Sequence, residues 1–406
     1  MSIINPSGKD IFSVTTEWCG RPLTLEVNRV GFRTTASVVA RYGDTVVLGT
    51  AMVGSRPVEL DYFPLSIDYE EKFYAAGKIS GSRFIKREGR PSDEAILIGR
   101  LIDRPIRPLF PKGYRQEVQV VSSVLSMDPS FRPDMVAMVA ASAALSLTGT
   151  PFDGPVAGLR VGRVNGEFKA FLTPDERAAS DLDLVVAGIE NGITMVEAGA
   201  HEVSEQVIID AMAWAHHMMQ PAIQLQRELA EKVAPAAQQY ELVLPDETIQ
   251  AEVDAWVAGK FGAAIRCAYP ERNELIADIR QAFHDEFTTK LGEDYDELRP
   301  QYDEAFTLAL HKDVRRGIVE DKVRPDGRQL TEIRPLSSEV GFLPRAHGSS
   351  LFTRGVTQGM NIVTLAPLSY AQLVDTMEQT DYERRYMHHY NAPGYTVGEV
   401  RRLGSP

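Results

Sequence analysis

The chain has 406 residues, 44% hydrophobic and 24% charged, with a formal net charge of −13. That length implies two or three domains, and no run approaches the roughly 20 continuous apolar residues a membrane-spanning helix needs. Cys19 and Cys267 lack metal-ligand spacing, and residues 1–16 lack the basic start and apolar core of a secretory signal, so a cytoplasmic protein with ordinary thiols is expected.

The first 200 residues read as mixed β and α. Residues 37–51 are two β-branched runs about Tyr42-Gly43-Asp44, which predicts a hairpin. Overall acidity argues against a polyanion partner, but the charge is segregated. From Arg83 to Arg115 there are nine Lys or Arg (83, 86, 87, 90, 100, 104, 107, 112, 115) against four acids (88, 93, 94, 103). One basic stripe on an acidic body suits a local polyanion site. Lys86, Arg87 and Arg90 lie in or beside a loop flanked by Gly81-Ser82 and Gly89, and Phe84 could add base stacking. Arg100, Arg104 and Arg107 are spaced i, i+4, i+7 along one helical face, with Pro105 interrupting near its end and Asp103 offering an ion pair.

Residues 117–125 predict a strand, and 134–147, rich in Ala and Met, predict a closely packed buried helix. Strands follow over 156–164 and 182–187, and an amphipathic helix begins near 204. Asp181 and Asp183, at i and i+2, fall on one side of a strand. Metal binding and strand-start hydrogen bonding are both open to them. From there to about 319, helical spacing takes over, with helix starts at 245–248 and 270–273. The doublets His216-His217 and His388-His389 cannot chelate by themselves, because adjacent residues point apart.

At 323–328 (Val-Arg-Pro-Asp-Gly-Arg) β-like sequence returns, and it repeats the beginning in order. Gly20-Arg21-Pro22-Leu23-Thr24 is answered by Gly327-Arg328-Gln329-Leu330-Thr331, and Gly43-Asp44-Thr45 by Gly355-Val356-Thr357. The expected fold class is α/β (α+β), with a first core over 1–205, an all-helical domain over 206–320 and the start of a second core over 321–406. A half-built β/α domain leaves an edge and an apolar face unpaired, which suggests a fragment of a longer chain.

Several segments together carry a family resemblance. Residues 41–47 (RYGDTVV) resemble the opening strand turn of ribonuclease PH-like domains. Residues 86–92 (KREGRPS) with 100–111 (RLIDRPIRPLFP) resemble the first core of polynucleotide phosphorylases. Residues 323–328, 348–358 (GSSLFTRGVTQ) and 390–399 resemble the same family's second core. The order of core, helical domain and core is also the family's.

The resemblance implies an RNA 3′-to-5′ phosphorolytic exoribonuclease that releases nucleoside diphosphates and can run in reverse as a polymerase. It further implies single-stranded RNA 3′ ends and inorganic phosphate as substrates, magnesium as cofactor and a homotrimeric ring. It places the Ser-rich phosphate loop, the acidic pair and the Lys in the second core beyond Pro406, so no catalytic residue is expected within this chain. The corresponding first-core places look degenerate. Residues 128–133 offer one hydroxyl, Ser130, between two prolines, and Val185 stands where the Lys belongs. Asp181 and Asp183 match the acidic pair and are the weak metal candidates. The RNA-binding candidates are Lys86, Arg87, Arg90, Phe84, Arg104 and Arg107, joined by Arg354 and Arg402 at positions that lie near the family's active site. The 83–87 run is one residue longer than the commoner family loop. The alternative reading is a non-catalytic RNA-binding or ring-scaffold fragment.

Overall fold

The computed structural model describes residues 10–58, 60, 62–79, 88–379, 382–400 and 402, without the side chains of 263 and 264. Strands β1 (Ser13–Trp18), β2 (Arg21–Val27), β3 (Ala36–Tyr42) and β4 (Thr45–Pro57) pair antiparallel in succession. The expected hairpin is β3–β4: Tyr42 pairs with Thr45, and Gly43 takes the left-handed φ of 57°. Two-residue hairpin turns require such a φ, and glycine adopts it without steric cost. Strands β5 (Leu65–Glu70) and β6 (Gln116–Ser126) pair in parallel and complete the order β1-β2-β3-β4-β6-β5. A parallel pair needs a long crossover. Helix α1 (Asp93–Ile106) supplies it, started by the Ser92 hydroxyl, which accepts from the Ala95 N–H. Pro105 sits in its last turn, after which the chain tightens into a 3₁₀ turn over Arg107–Leu109.

Helix α2 (Asp134–Ser146) is buried on nearly every side, as its small residues predict. It packs on β3, β4 and β6, and the contact with β4 is close enough that a Cβ on Gly49 would lie 2.4 Å from the Ala140 carbonyl oxygen. The second sheet, in the order β10-β9-β7-β8, is antiparallel: β7 (Ala157–Val164), β8 (Glu167–Ala170), β9 (Leu182–Ile189) and β10 (Gly192–Ala200). The short helix α3 (Pro174–Ala179) joins β8 to β9 through a capping box of Thr173 and Glu176.

Helix α4 (Glu205–Val233) buries Ala211, Ala215, Met219, Ile223 and Leu229 in the same apolar core as Trp18, Val38 and Leu159. The Trp18 indole N–H donates to the Met218 carbonyl (3.0 Å). After α4 the chain stays on this body, with Gln238 N–H donating to Gly149 O and Leu242 bridging to Tyr114. The first compact unit takes in the described residues up to Leu242, together with those from Ala371 onward. Helical periodicity shows that α4 has an apolar face but not which core that face covers.

The second unit, Val243–Tyr370, contains α5 (Glu247–Val257), α6 (Glu271–Leu291) and α7 (Asp294–Val319). They close on a separate cluster that includes Val253, Phe283, Phe287, Tyr302 and Phe306. The same unit holds a three-stranded antiparallel sheet of β11 (Leu336–Val340), β12 (Gly348–Arg354) and β13 (Thr357–Val363). The stretch 321–406 contains the boundary between the two compact units, at Tyr370. Its last part carries β14 (Gln372–Val374) and β15 (Tyr382–Arg384), and Met377, 1% exposed, packs into the first core. Among the described residues, no helix is long and apolar enough to cross a membrane.

Candidate nucleic-acid interface

Three of the sequence candidates, Phe84, Lys86 and Arg87, lie outside the described residues. Arg90 is exposed just ahead of α1, and Arg100 is exposed on that helix beside Ile96 and Leu97. Neither makes an ion pair among the described residues. The other two members of the helical face are engaged. Arg104 Nη1 donates to the Glu197 carboxylate (2.8 Å) across an exposed contact. Arg107 donates to Asp103 through Nε (2.7 Å) and Nη2 (2.6 Å), and to the carbonyls of Phe63 (3.2 Å) and Leu65 (2.9 Å). Those four bonds leave about one of its five N–H groups for an outside ligand, so Arg107 chiefly ties α1 to the approach of β5. The ion-pair role expected for Asp103 is its bond to Arg107. Arg354 ends β12 in the second unit and is exposed, as is Arg402 near the end of the chain.

Residues 128–133, the place where the resemblance implies a degenerate phosphate loop, are engaged by neighbouring side chains. Asp128 accepts from the Ser130 N–H (2.8 Å) and from Arg21 Nη1 (3.1 Å), while its own N–H donates to the Thr45 hydroxyl (3.0 Å). Burial opposes ionisation of Asp128, but the Ser130 bonds and Arg21 outweigh it and hold the carboxyl below its ordinary value. Phe131, 3% exposed, packs edge-on against Tyr42 and Phe171, with the Arg21 guanidinium over its face at 4.8 Å. The Asp128 and Ser130 N–H groups of this loop are thus turned to partners within the fold, and an aromatic side chain and an ion pair close it.

The acidic pair is likewise engaged. Arg160, on β7, donates through Nε and Nη2 to Asp134 (3.2 and 2.9 Å) and through Nη1 to Asp183 (2.7 Å). Although burial works against the charge, Asp134 and Asp183 together keep the Arg160 guanidinium more firmly protonated than usual. Asp181 instead takes Arg163, whose Nη2 lies 2.5 Å away, and that bond lowers the Asp181 pKa. The two carboxylates therefore serve separate arginines. Among the described residues no group of three His, Cys, Asp or Glu is placed to hold a metal ion. Asp181 and Asp183, the weak metal candidates, each hold an arginine in this arrangement rather than facing one another across a shared site.

Arg160 and Arg163 were missed in the sequence, although a signal was present. Both interrupt the otherwise apolar strand Ala157–Val164, and a charge in a buried strand requires a partner. The histidine doublets do not assemble a site. His216 Nε2 lies 3.0 Å from the Ile189 carbonyl, and His388 Nδ1 lies 3.3 Å from the Tyr386 hydroxyl.

Comparison with known proteins adds to this geometry. Residues 20–151 match the 3′ exoribonuclease family, domain 1, and residues 154–218 match domain 2 of that family. The polyribonucleotide nucleotidyltransferase of Staphylococcus carnosus (strain TM300) is 45% identical over 397 residues, covering 96% of this chain and 56% of the relative. That of Listeria welshimeri serovar 6b is 43% identical over 401 residues, covering 98% of this chain and 55% of the relative. The chain thus spans about half the length of the curated relatives it matches. The crystal structure of rice (Oryza sativa) Rrp46 aligns with 55% of the chain and 98% of its own at 14% identity and a TM-score of 0.43, too slight a likeness for any argument.

Proposed function

The chain belongs to the polyribonucleotide nucleotidyltransferase family, matching its N-terminal portion, and on that premise we propose that it serves RNA 3′-to-5′ phosphorolysis chiefly as the RNA-guiding part of the enzyme. In that reaction an oxygen of inorganic phosphate attacks the phosphorus of the 3′-terminal phosphodiester. The bond from that phosphorus to the preceding 3′ oxygen breaks, and a nucleoside diphosphate leaves. The reverse reaction adds nucleotides and releases phosphate. The observation that best supports this reading is the 45% identity running through 96% of the chain, across the first core, the helical region and the second-core sequence.

Residues 1–406 alone do not perform the chemistry on this reading, because the first-core positions for phosphate and metal are occupied by ion pairs and by Phe131. On this reading the family's magnesium binds elsewhere than at Asp181 and Asp183, whose carboxylates are held by Arg163 and Arg160. A homotrimeric ring in the cytoplasm is the assembly and location this family membership favours. The exposed Arg90 and Arg100, with Lys86 and Arg87 nearby in sequence, are the cations we assign to the RNA phosphates, and Arg354 and Arg402 are secondary candidates. The filled first-core site also favours the non-catalytic RNA-binding or ring-scaffold reading for this stretch taken alone.

Two measurements test the proposal. Residues 1–406 incubated with oligo(A), phosphate and magnesium are expected to release no nucleoside diphosphate, and release would overturn the assignment of the chemistry elsewhere. Lys86→Ala with Arg87→Ala should weaken oligo(A) binding and lower the slope of log K against log salt by about 1.4, at roughly 0.7 per lost single-strand phosphate contact. An unchanged slope removes both residues from the interface.

A further inference from the structure

Residues 375–379 follow β14, in sequence that resembles a second core, yet they are seated on the first core. Met377 is 1% exposed and belongs to the first core's apolar cluster. Lys78 Nζ donates to the carbonyls of Thr376 (2.8 Å) and Gln379 (3.3 Å) and lies 3.9 Å from the Asp375 carboxylate. The segment is itself a closed turn: the Thr376 N–H donates to Gln379 O and the Gln379 N–H to the Thr376 hydroxyl. The turn carries Glu378 inward, to 3.3 Å from Arg132 Nε.

That carboxylate enters a pocket short of positive charge. Facing it are Arg132 from the loop before α2, Asp134 at the head of α2, Glu71 and the Tyr69 hydroxyl at the end of β5, Glu94 of α1 and Arg177 of α3. Arg132 is shared, since its Nη1 donates to Glu94 (3.0 Å), and Asp134 is already matched by Arg160. The side chain of Glu378 is only 14% exposed. Its Oε1, the Oε1 of Glu71 and the Tyr69 hydroxyl are all buried without a hydrogen-bond partner among the described residues. An ionised carboxylate with an unpaired buried oxygen is costly, whereas a proton removes the charge and supplies a donor.

We propose that residues 375–379 form a proton-controlled latch on the first core, closed firmly when Glu378 is protonated and loosened when it ionises. Burial, opposed by Arg132 and reinforced by Asp134, Glu71 and Glu94, pushes its carboxyl up to about 7 from an ordinary 4.5. Glu71 shifts in the same direction, through its own burial. The docked turn thus binds a proton that the free turn releases. The stabilisation is fully present below the free value of 4.5 and is lost as pH rises through the docked value of about 7. Between pH 5.5 and 8 the closed-to-open ratio should fall by at least roughly tenfold.

Hydrogen–deuterium exchange of the whole chain, corrected for intrinsic rates at each pH, tests this on peptides spanning residues 372–379. The expected result is protection that falls by that factor between pH 5.5 and 8. Helix α2 (Asp134–Ser146) serves as the reference for an intact core. Glu378→Gln should hold the peptide closed at pH 8 as firmly as the wild type is held at pH 5.5, with a flat profile. Met377→Ala should open the turn at both pH values while keeping the pH dependence. A wild-type profile already flat across this range, or a Glu378→Gln variant that titrates like the wild type or opens further with α2 still protected, overturns the latch.

Discussion

Replacing Arg160 by methionine should cost the first core about 3–5 kcal/mol, the range for breaking one partner out of a buried ion pair. Asp134 sets the size of the effect. Its side chain is 1% exposed and receives two of the Arg160 bonds, and without them, among the described residues, the Met135 N–H (2.9 Å) is the hydrogen bond left to it. Asp183, the other partner, is 66% exposed, so water can replace the guanidinium there and Asp183→Asn should cost under about 1 kcal/mol. Replacing both members of the buried pair, Arg160→Met with Asp134→Leu, removes the stranded charge and should recover most of the loss. The assay is urea denaturation followed by tryptophan fluorescence in a Trp256→Phe background. The remaining Trp18 and Trp214 both lie in the first unit. The reasoning fails if Arg160→Met and Asp183→Asn cost the same, or if the double variant is as unstable as the sum of the two single losses.

The same denaturation curve tests the contact between β4 and α2. Gly49→Ala places a Cβ 2.4 Å from a helix carbonyl that cannot move alone, and should cost about 1–3 kcal/mol. Gly192→Ala, with nothing within 4 Å of its new Cβ, should be nearly silent, and equal costs for the two refute the close-packing argument. Arg21→Met should weaken stability at pH 6 more than at pH 3. Asp128 is held below its ordinary value chiefly against burial by Ser130 and then Arg21, so its contribution is present above the unfolded value near about 3.9 and lost as pH falls through the folded one. Ser130 supplies the larger share of that shift, and the difference between wild type and variant should therefore shrink on acidification while the variant keeps some acid sensitivity. A difference that grows instead contradicts the assignment.

Much of this molecule is legible locally. The Tyr42-Gly43-Asp44 turn between β-branched runs specifies its hairpin because only a few residue types tolerate the backbone angles involved. The Ala- and Met-rich run at 134–146 specifies a buried helix because it has no polar face to expose. The ordered motifs from 41 to 399 identify the family. The domain limits and the state of the first-core site depend on contacts between distant segments. Periodicity shows that α4 has an apolar face, but only packing assigns that face to the first core. Asp181 and Asp183 share a strand side in the sequence, whereas the pairing of β7 with β9 gives one to Arg163 and the other to Arg160. Glu378 is one acid among many in the sequence. It becomes a buried, poorly paired carboxyl because the turn that carries it is anchored by Met377 and Lys78, and that burial is a property of the assembled fold, not of neighbouring residues.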